Sequence, residues 1–191
     1  MAFVTLKLAT SLDGRIATAK GESRWITGPD AREAVHRLRS EHDAVVVGVE
    51  TGLADDPELT VRLEGYAGSH PARVVLDSRQ RISPDCKLVR TARDVPTYVV
   101  ATGAPDPALS EAGVHVLQAP AVSEDRPDLR GVVQLLEKAG LTRLFVEGGG
   151  QVAGSFLRCG LVDALEWFRA PMVIGGEGRP GVGALALGAL S

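Results

Sequence analysis

The sequence predicts an α/β fold in three layers, a mostly parallel central sheet flanked by helices, and three observations carry that reading. Short β-branched runs recur at residues 44–49, 73–76, 97–101 and 114–117, the length and composition of buried parallel strands. Helical spacing fills the intervals: Ala31, Ala34, Val35 and Leu38 recur after Pro29 with charged residues on the opposite face, and residues 131–140 end at Gly140 before another strand at 143–147. Strand and helix therefore alternate, as they do when crossover helices connect parallel strands.

The remaining elements follow in order. Residues 3–9 alternate apolar and polar side chains as a first strand, residues 11–14 supply turn chemistry, and residues 15–18 resume the strand pattern. The first helix covers 30–41. Beyond the strand at 143–147, Gly148 to Gly150 lead into an apolar helix at 151–159, and residues 164–174 read as a long final strand. Pro105, Pro107, Pro120 and Pro127 punctuate surface connections between apolar strands. Glycines at 175, 176, 178, 181, 183 and 188 dilute an apolar ending whose conformation the pattern leaves open. No linker or repeat interrupts the chain, so residues 1–191 read as one domain.

Composition narrows the classes of function. A net charge of −3 provides no basic field for nucleic acid, although a local cationic pocket can still hold one phosphate ester. Cys86 and Cys159 are too few and too far apart for a disulfide framework or a zinc pattern, which fits a reducing cytoplasm. No signal-peptide pattern opens the chain, and no uncharged apolar run reaches the roughly 18 residues a membrane span needs. His36, His42, His70 and His115 match no zinc motif, and neither a G-x-S-x-G elbow nor a Walker A loop is present, so no metal is expected.

Polar groups gather where strands give way to loops. Thr51, Asp55, Asp56 and Arg62 follow the run at 44–49, and ligands of open sheets bind outside the carboxyl ends of strands; alternatively the two aspartates brace a turn before Pro57. The glycines after Glu147 suit a pyrophosphate cradle at a helix start, or only close strand-to-helix packing. Gly148, Gly150 and Ala153 fit the G-x-G-x-x-G/A spacing, but far from the first strand-to-helix turn. Glu147 beside such a cradle would repel an anion unless it faced a sugar or base donor; otherwise it is a solvated strand end. Trp25 lies against a flat heterocycle or covers the core, and Ser23 contacts a ligand or caps a turn. Arg39 and Arg62 are phosphate candidates, Arg39 having a solvated helix face as its alternative. Ser78, Arg79 and Arg81 either grip a ribose 2′-phosphate or are solvated. Sugar, phosphate and flat-ring partners without a protein nucleophile suit hydride transfer.

Five blocks together resemble one family, the reductase domain of bacterial riboflavin biosynthesis, related in fold to dihydrofolate reductase. They are KLATSLDGRIA at 7–17, GESRWITGPDAR at 21–32, GVETGLADDPELTVR at 48–62, VLDSRQRISP at 75–84 and VEGGGQVAGSFL at 146–157. The resemblance implies a dihydrofolate reductase-like fold and an NADPH-dependent reductase that turns the ribosyl group of 5-amino-6-(5-phosphoribosylamino)uracil into ribityl. It implies cofactor contacts at Ala9, Trp25, Thr51, Asp55, Ser78, Gly149, Gly150, Gln151, Val152, Ala153, Gly154 and Ser155. Substrate contacts fall on Ser23, Arg39, Leu59, Arg62 and Glu147, with the phosphate suited to the two arginines. Hydride would pass to C1′ of an opened, imine-like sugar, with Lys7 as the acid for the departing ring oxygen and Glu147 orienting it or the ribose.

Two departures from the family pattern accompany the resemblance. The zinc deaminase motif that precedes the reductase in many bacteria is absent from this sequence, so this chain should not deaminate, and the closing hairpin after the last apolar strand is missing. A sheet edge would then stay exposed, be covered in the homodimer common to the family, or belong to a longer chain. Another pyridine-nucleotide reductase of the same fold, or a silent nucleotide-binding module, are the competing readings.

Overall fold

The computed structural model describes residues 1–23, 26–123 and 126–188, so the expected cofactor contact Trp25 lies outside the described residues. The first half of the chain forms β1 (Phe3–Thr10), β2 (Arg15–Ala17), α1 (Pro29–Ser40), β3 (Ala44–Gly48), α2 (Val49–Asp55), β4 (Ala72–Leu76), α3 (Lys87–Arg90) and β5 (Thr97–Ala101). The second half forms α4 (Pro107–Glu111), β6 (His115–Gln118), β7 (Ala121–Ser123), β8 (Arg126–Pro127), α5 (Leu129–Lys138), β9 (Arg143–Gly148), α6 (Gly150–Arg158), β10 (Ala164–Arg169) and β11 (Arg179–Pro180).

Seven strands pair in the order β10-β1-β9-β3-β4-β5-β6, and every ladder between them is parallel. The antiparallel pairs among the described residues are small and separate, β2 with β11 and β7 with β8. Side chains alternate between the faces of each strand, which divides the core in two. On one face Val4, Leu6, Leu8, Leu144 and Val146 pack with Val132, Val133 and Leu136 of α5 and Phe156 of α6. On the other, Val45, Val47, Val75, Val99 and Phe145 meet Leu88 and Val89 of α3, Leu109 of α4, and Val35 and Leu38 of α1. Each fully buried Val, Leu or Phe contributes roughly 1.5–3 kcal/mol, so helices on both faces are what the central β-branched strands require.

Two expectations from sequence are corrected. The polar stretch after the third strand is not loop throughout: Val49–Asp55 is helical, buried at Val49 and Gly52 and ended by Asp56 in the left-handed region at φ 39°. The long final strand is shorter than residues 164–174, because β10 stops at Arg169. Pro171 has no N–H for the ladder, and beyond it the Met172 carbonyl accepts from Leu12 while Asp13 accepts from Ile174 and Gly175 N–H groups. The glycine-rich ending is ordered against the body: β11 pairs with β2, Gly181 N–H donates to the Gly14 carbonyl, and Gly183 N–H donates to the Gly150 carbonyl.

A buried cation fastens the β4 side of the sheet. Arg73, 1% exposed, donates to the Thr97 hydroxyl at 2.7 and 3.0 Å, the Thr91 hydroxyl at 2.8 Å, and the carbonyls of Val95, Thr91 and Leu88 at 2.9, 3.0 and 3.1 Å. At the same amino end of the strands, Asp43 Oδ2 accepts from Thr142 N–H, Arg143 N–H and the Thr142 hydroxyl, joining the start of β3 to that of β9. Burial opposes that charge, but the three hydrogen bonds outweigh it and hold the Asp43 carboxyl below its ordinary value.

Arg73→Met is expected to destabilise the chain by about 3 kcal/mol or more, since it strands several buried carbonyls at roughly 1–3 kcal/mol each; urea unfolding should show a lower midpoint with an unchanged slope. For Asp43, a depressed carboxyl stabilises the fold fully above the unfolded value of about 4 and loses that contribution as pH falls through its lower folded value. Urea midpoints between neutral and strongly acidic pH should therefore fall more steeply for the native chain than for Asp43→Asn.

Candidate functional site

The chain order changes direction between β1 and β3, with β9 inserted between them, and crevices at such a switch point hold the ligands of open sheets. There the β3–β9 register slips: Val46 pairs with Val146, but Val47 pairs with Gly148, so Glu147 is the extra residue of a bulge. Glu147 lies two residues past Phe145, on the face that α1 covers, and the slip leaves it unpaired at the end of the ladder.

Glu147 meets Arg39. Arg39 Nε and Nη2 donate to the two carboxylate oxygens at 2.5 and 2.9 Å, and the two side chains are only 11% and 10% exposed. A third donor, Nη1, reaches the Thr60 carbonyl at 2.9 Å. Burial works against the carboxylate, but the charge and hydrogen bonds of Arg39, aided by Lys7 and His36, hold Glu147 ionised below the usual range. Lys7 shares this electrostatic neighbourhood from β1, where Val4, Leu6 and Leu8 face the opposite core. Burial lowers the Lys7 ammonium, Glu147 pulls it back up, and Arg39 adds to the lowering. The cluster is thus a fixed carboxylate beside a cation whose proton is easier to release than in water.

The segment after α2 completes this wall. Asp56 accepts the Lys87 N–H at 2.8 Å, a tie to the start of α3 rather than to the turn before Pro57, whereas Asp55 is exposed at the end of α2. Leu59 has φ 55°, a left-handed conformation that costs a side-chain-bearing residue roughly 1–2 kcal/mol, and is 4% exposed in the core cluster beneath. That kink aims the Thr60 carbonyl at Arg39 and leaves Arg62 exposed; among the described residues the Arg62 guanidinium has no hydrogen-bond or ion-pair partner. Arg39 and Arg62 are therefore unlike: one is tied to Glu147 and Thr60, the other is open.

Opposite lies the start of α6. Gly149 stands at φ 85° before the helix, no side chain caps the helix start, and a Cβ on Gly148 would approach Thr51 Oγ1 at 3.2 Å. The stretch 149–155 divides by role. No side chain caps the first-turn N–H groups, while Ala153 is 2% exposed in the core and Ser155 Oγ accepts from Arg158 at 2.9 Å. Gly150 and Gly154 answer to the chain ending, since Cβ atoms there would meet the Pro180 carbonyl oxygen at 2.3 Å and Gly183 backbone at 3.0 Å. Close packing thus explains those two glycines, and the anion-binding capacity rests on the helix start itself.

Ser78 follows β4 and uses its backbone carbonyl to accept from Thr102, and Arg81 pairs with Glu50 at 2.5 Å. Ala9 is half-buried on β1, and Ser23 is exposed in an irregular segment without a described contact to the cluster. The sequence reading passed over His36, which accepts the Arg62 backbone N–H at Nδ1, 3.1 Å away. Its signal was available: His36 precedes Arg39 by one helical turn. The open hollow lined by Ser40, Asp43, His70 and Leu141 lies away from this cluster, at the amino ends of β3 and β4, opposite to where such sheets bind ligands.

Known proteins resemble this chain in sequence and fold. The RibD C-terminal domain matches residues 2–188. The riboflavin biosynthesis protein RibD of Actinobacillus pleuropneumoniae is 39% identical over 179 residues, covering 92% of this chain and 46% of that protein. A 2,5-diamino-6-ribosylamino-4(3H)-pyrimidinone 5′-phosphate reductase of Methanothermobacter thermautotrophicus is 39% identical over 177 residues, covering 92% of this chain and 80% of the relative. Among solved structures, RibD of Acinetobacter baumannii superposes with a TM-score of 0.86 at 33% identity, over 96% of this chain and 50% of that one. The riboflavin biosynthesis reductase Rib7 of Saccharomyces does so with a TM-score of 0.76 at 25% identity, over 94% and 78%. The chain spans about half the length of the bacterial RibD relatives it matches, and the fold is the dihydrofolate reductase-like one expected from sequence. By match, identity and shared architecture, it belongs to the RibD C-terminal domain family.

Proposed function

We propose that this chain is an NADPH-dependent reductase that converts the ribosyl group of a 5′-phosphorylated ribosylaminopyrimidine to ribityl. The observation that carries the reading is the Lys7–Glu147–Arg39 cluster, bulged into the crevice beside an uncapped helix start. The name of the archaeal relative supports a diamino-pyrimidinone substrate and the bacterial resemblance an aminouracil, which differ in deamination of the ring.

The residues present fit a pyridine dinucleotide. The first-turn N–H groups of α6 and the positive end of its dipole suit the diphosphate, Thr51 lines the glycine turn, and Ser78 with Arg79 at the end of β4 suits the 2′-phosphate. When bound, NADPH supplies the hydride that C1′ of the opened sugar accepts. Glu147, kept ionised by Arg39, accepts hydrogen bonds from ribose hydroxyls and fixes the sugar over the crevice. Lys7, its ammonium destabilised by burial, donates a proton to the ribose ring oxygen as the C1′–O bond opens. Arg62, exposed on its kinked segment, takes the 5′-phosphate. The edge strand β10 leaves Leu165 and Trp167 about half exposed, at 47% and 49%, which suits burial against a second copy in a homodimer. Among the described residues no helix is long and apolar enough to cross a membrane, and a cytoplasmic location suits the small-molecule substrate.

NADPH oxidation, followed by loss of nicotinamide absorbance, is expected with the phosphorylated aminouracil or with its undeaminated counterpart; absence of turnover with both overturns the reading. Lys7→Ala should lower kcat by about a hundredfold or more, and near-normal turnover at saturating substrate would remove Lys7 as the proton donor. Glu147→Gln should lower kcat/KM by a similar factor, of order a hundred, and raise KM for the sugar substrate while leaving KM for NADPH within about twofold.

A further inference from the structure

The segment 60–62 is held at each of its residues by a side chain from elsewhere. Arg39 donates to the Thr60 carbonyl at 2.9 Å, Val61 N–H donates to His70 Nδ1 at 3.4 Å, and Arg62 N–H donates to His36 Nδ1 at 3.1 Å. Only the last contact acts directly on the backbone of the residue that presents the open guanidinium. The segment also follows Leu59, whose left-handed backbone persists only where its surroundings over-determine it.

We propose that His36 is a positioning residue for the phosphate-binding arm: its neutral ring, accepting the Arg62 N–H, fixes the guanidinium where the substrate's phosphate arrives, and protonation releases it. The inference rests on the reductase reading above and adds a residue that acts through Arg62 rather than on substrate. The chemistry is that of a ring with one acceptor nitrogen. Nδ1 can take the Arg62 N–H only while it keeps its lone pair, and in the cation both ring nitrogens are donors. The protonated ring would face a donor with a donor and keep only the Thr60 carbonyl already beside it, which it shares with Arg39.

The surroundings keep the ring in its holding state at neutral pH. Burial disfavours the cation first, then Arg39 on the same helix and Arg62 on the facing segment, against Glu147 on β9 and the Thr60 carbonyl, which favour it. The net shift is downward, so the hold persists through neutral pH and is lost only as pH falls below the ordinary histidine value of about 6.5. A phosphate monoester itself gains a proton near about pH 6, so the acid limb of the native enzyme alone does not isolate the ring. A substitution that keeps the acceptor and removes the titration does.

The test measures kcat and KM for the phosphorylated substrate near pH 7.5 and about pH 5.5 in the native chain, His36→Ala and His36→Asn. The asparagine amide oxygen can stand near the place of Nδ1 and does not titrate in this range. His36→Ala is expected to raise KM about fivefold at the higher pH with kcat within about twofold, the effect of one lost neutral hydrogen bond. His36→Asn is expected to keep KM within about twofold of native there and to show a shallower rise toward acid. An unmoved KM in His36→Ala, an acid rise in His36→Asn equal to the native one, or a native KM that falls toward acid because the ring cation binds phosphate, each overturns the proposal. If the native chain shows no turnover, the reductase reading fails, and the Arg62 amide resonance in 15N-labelled protein decides this one. It should move and exchange faster in His36→Ala but not in His36→Asn; an amide unchanged in His36→Ala overturns it.

Discussion

The bidentate contact between Arg39 and Glu147 is the constraint on which the crevice depends. A carboxylate that is only 10% exposed would ordinarily bind a proton, and a guanidinium equally hidden would be a burden to the fold. Together they keep one another charged, and the spare Arg39 donor extends the order to the Thr60 carbonyl and the segment carrying Arg62. One buried pair thereby relates three pieces of chain remote in sequence, helix α1, strand β9 and the arm after Leu59. Removing either partner leaves the other charge stranded, so the pair sets geometry more than it adds net stability.

Much of the architecture was legible because buried parallel strands and amphipathic helices leave strong patterns. The runs at 44–49, 73–76 and 97–101 became β3, β4 and β5, one end of the first two differing by a residue, and Pro29 and the apolar face at 31–38 announced α1. Helix α2 was missed because Val49, Thr51 and Gly52 are poor helix formers; burial of Val49 and Gly52 forms it, not propensity. The overrun of β10 came from counting apolar residues at 172–174 without weighing Pro171, which cannot donate to a ladder.

At the site, sequence located the neighbourhood but not its internal bonding. Strand-end polar residues pointed to Thr51, Glu147 and the glycine turn, as the placement of binding residues in open sheets leads one to expect. The solvated helix face allowed for Arg39 is instead an inward one: Val35, Leu38, Arg39 and His42 share it, and Arg39 and His42 are buried. The bulge at Glu147 had no local signature, because a register slip depends on the partner strand as well as on its own residues. Likewise, the glycines at 150 and 154, read as a phosphate cradle or as close strand-to-helix packing, give clearance to the returning chain, which no local window contains.

The same bulge separates shape from chemistry. Because the carboxylate sits on the one surplus residue in β9, losing that residue would let the β3–β9 ladder run on in register past residue 146. A descendant altered in this way would superpose closely on its ancestors yet present no carboxylate in the crevice. Inheritance of the scaffold and inheritance of the reaction can therefore part company over a single codon.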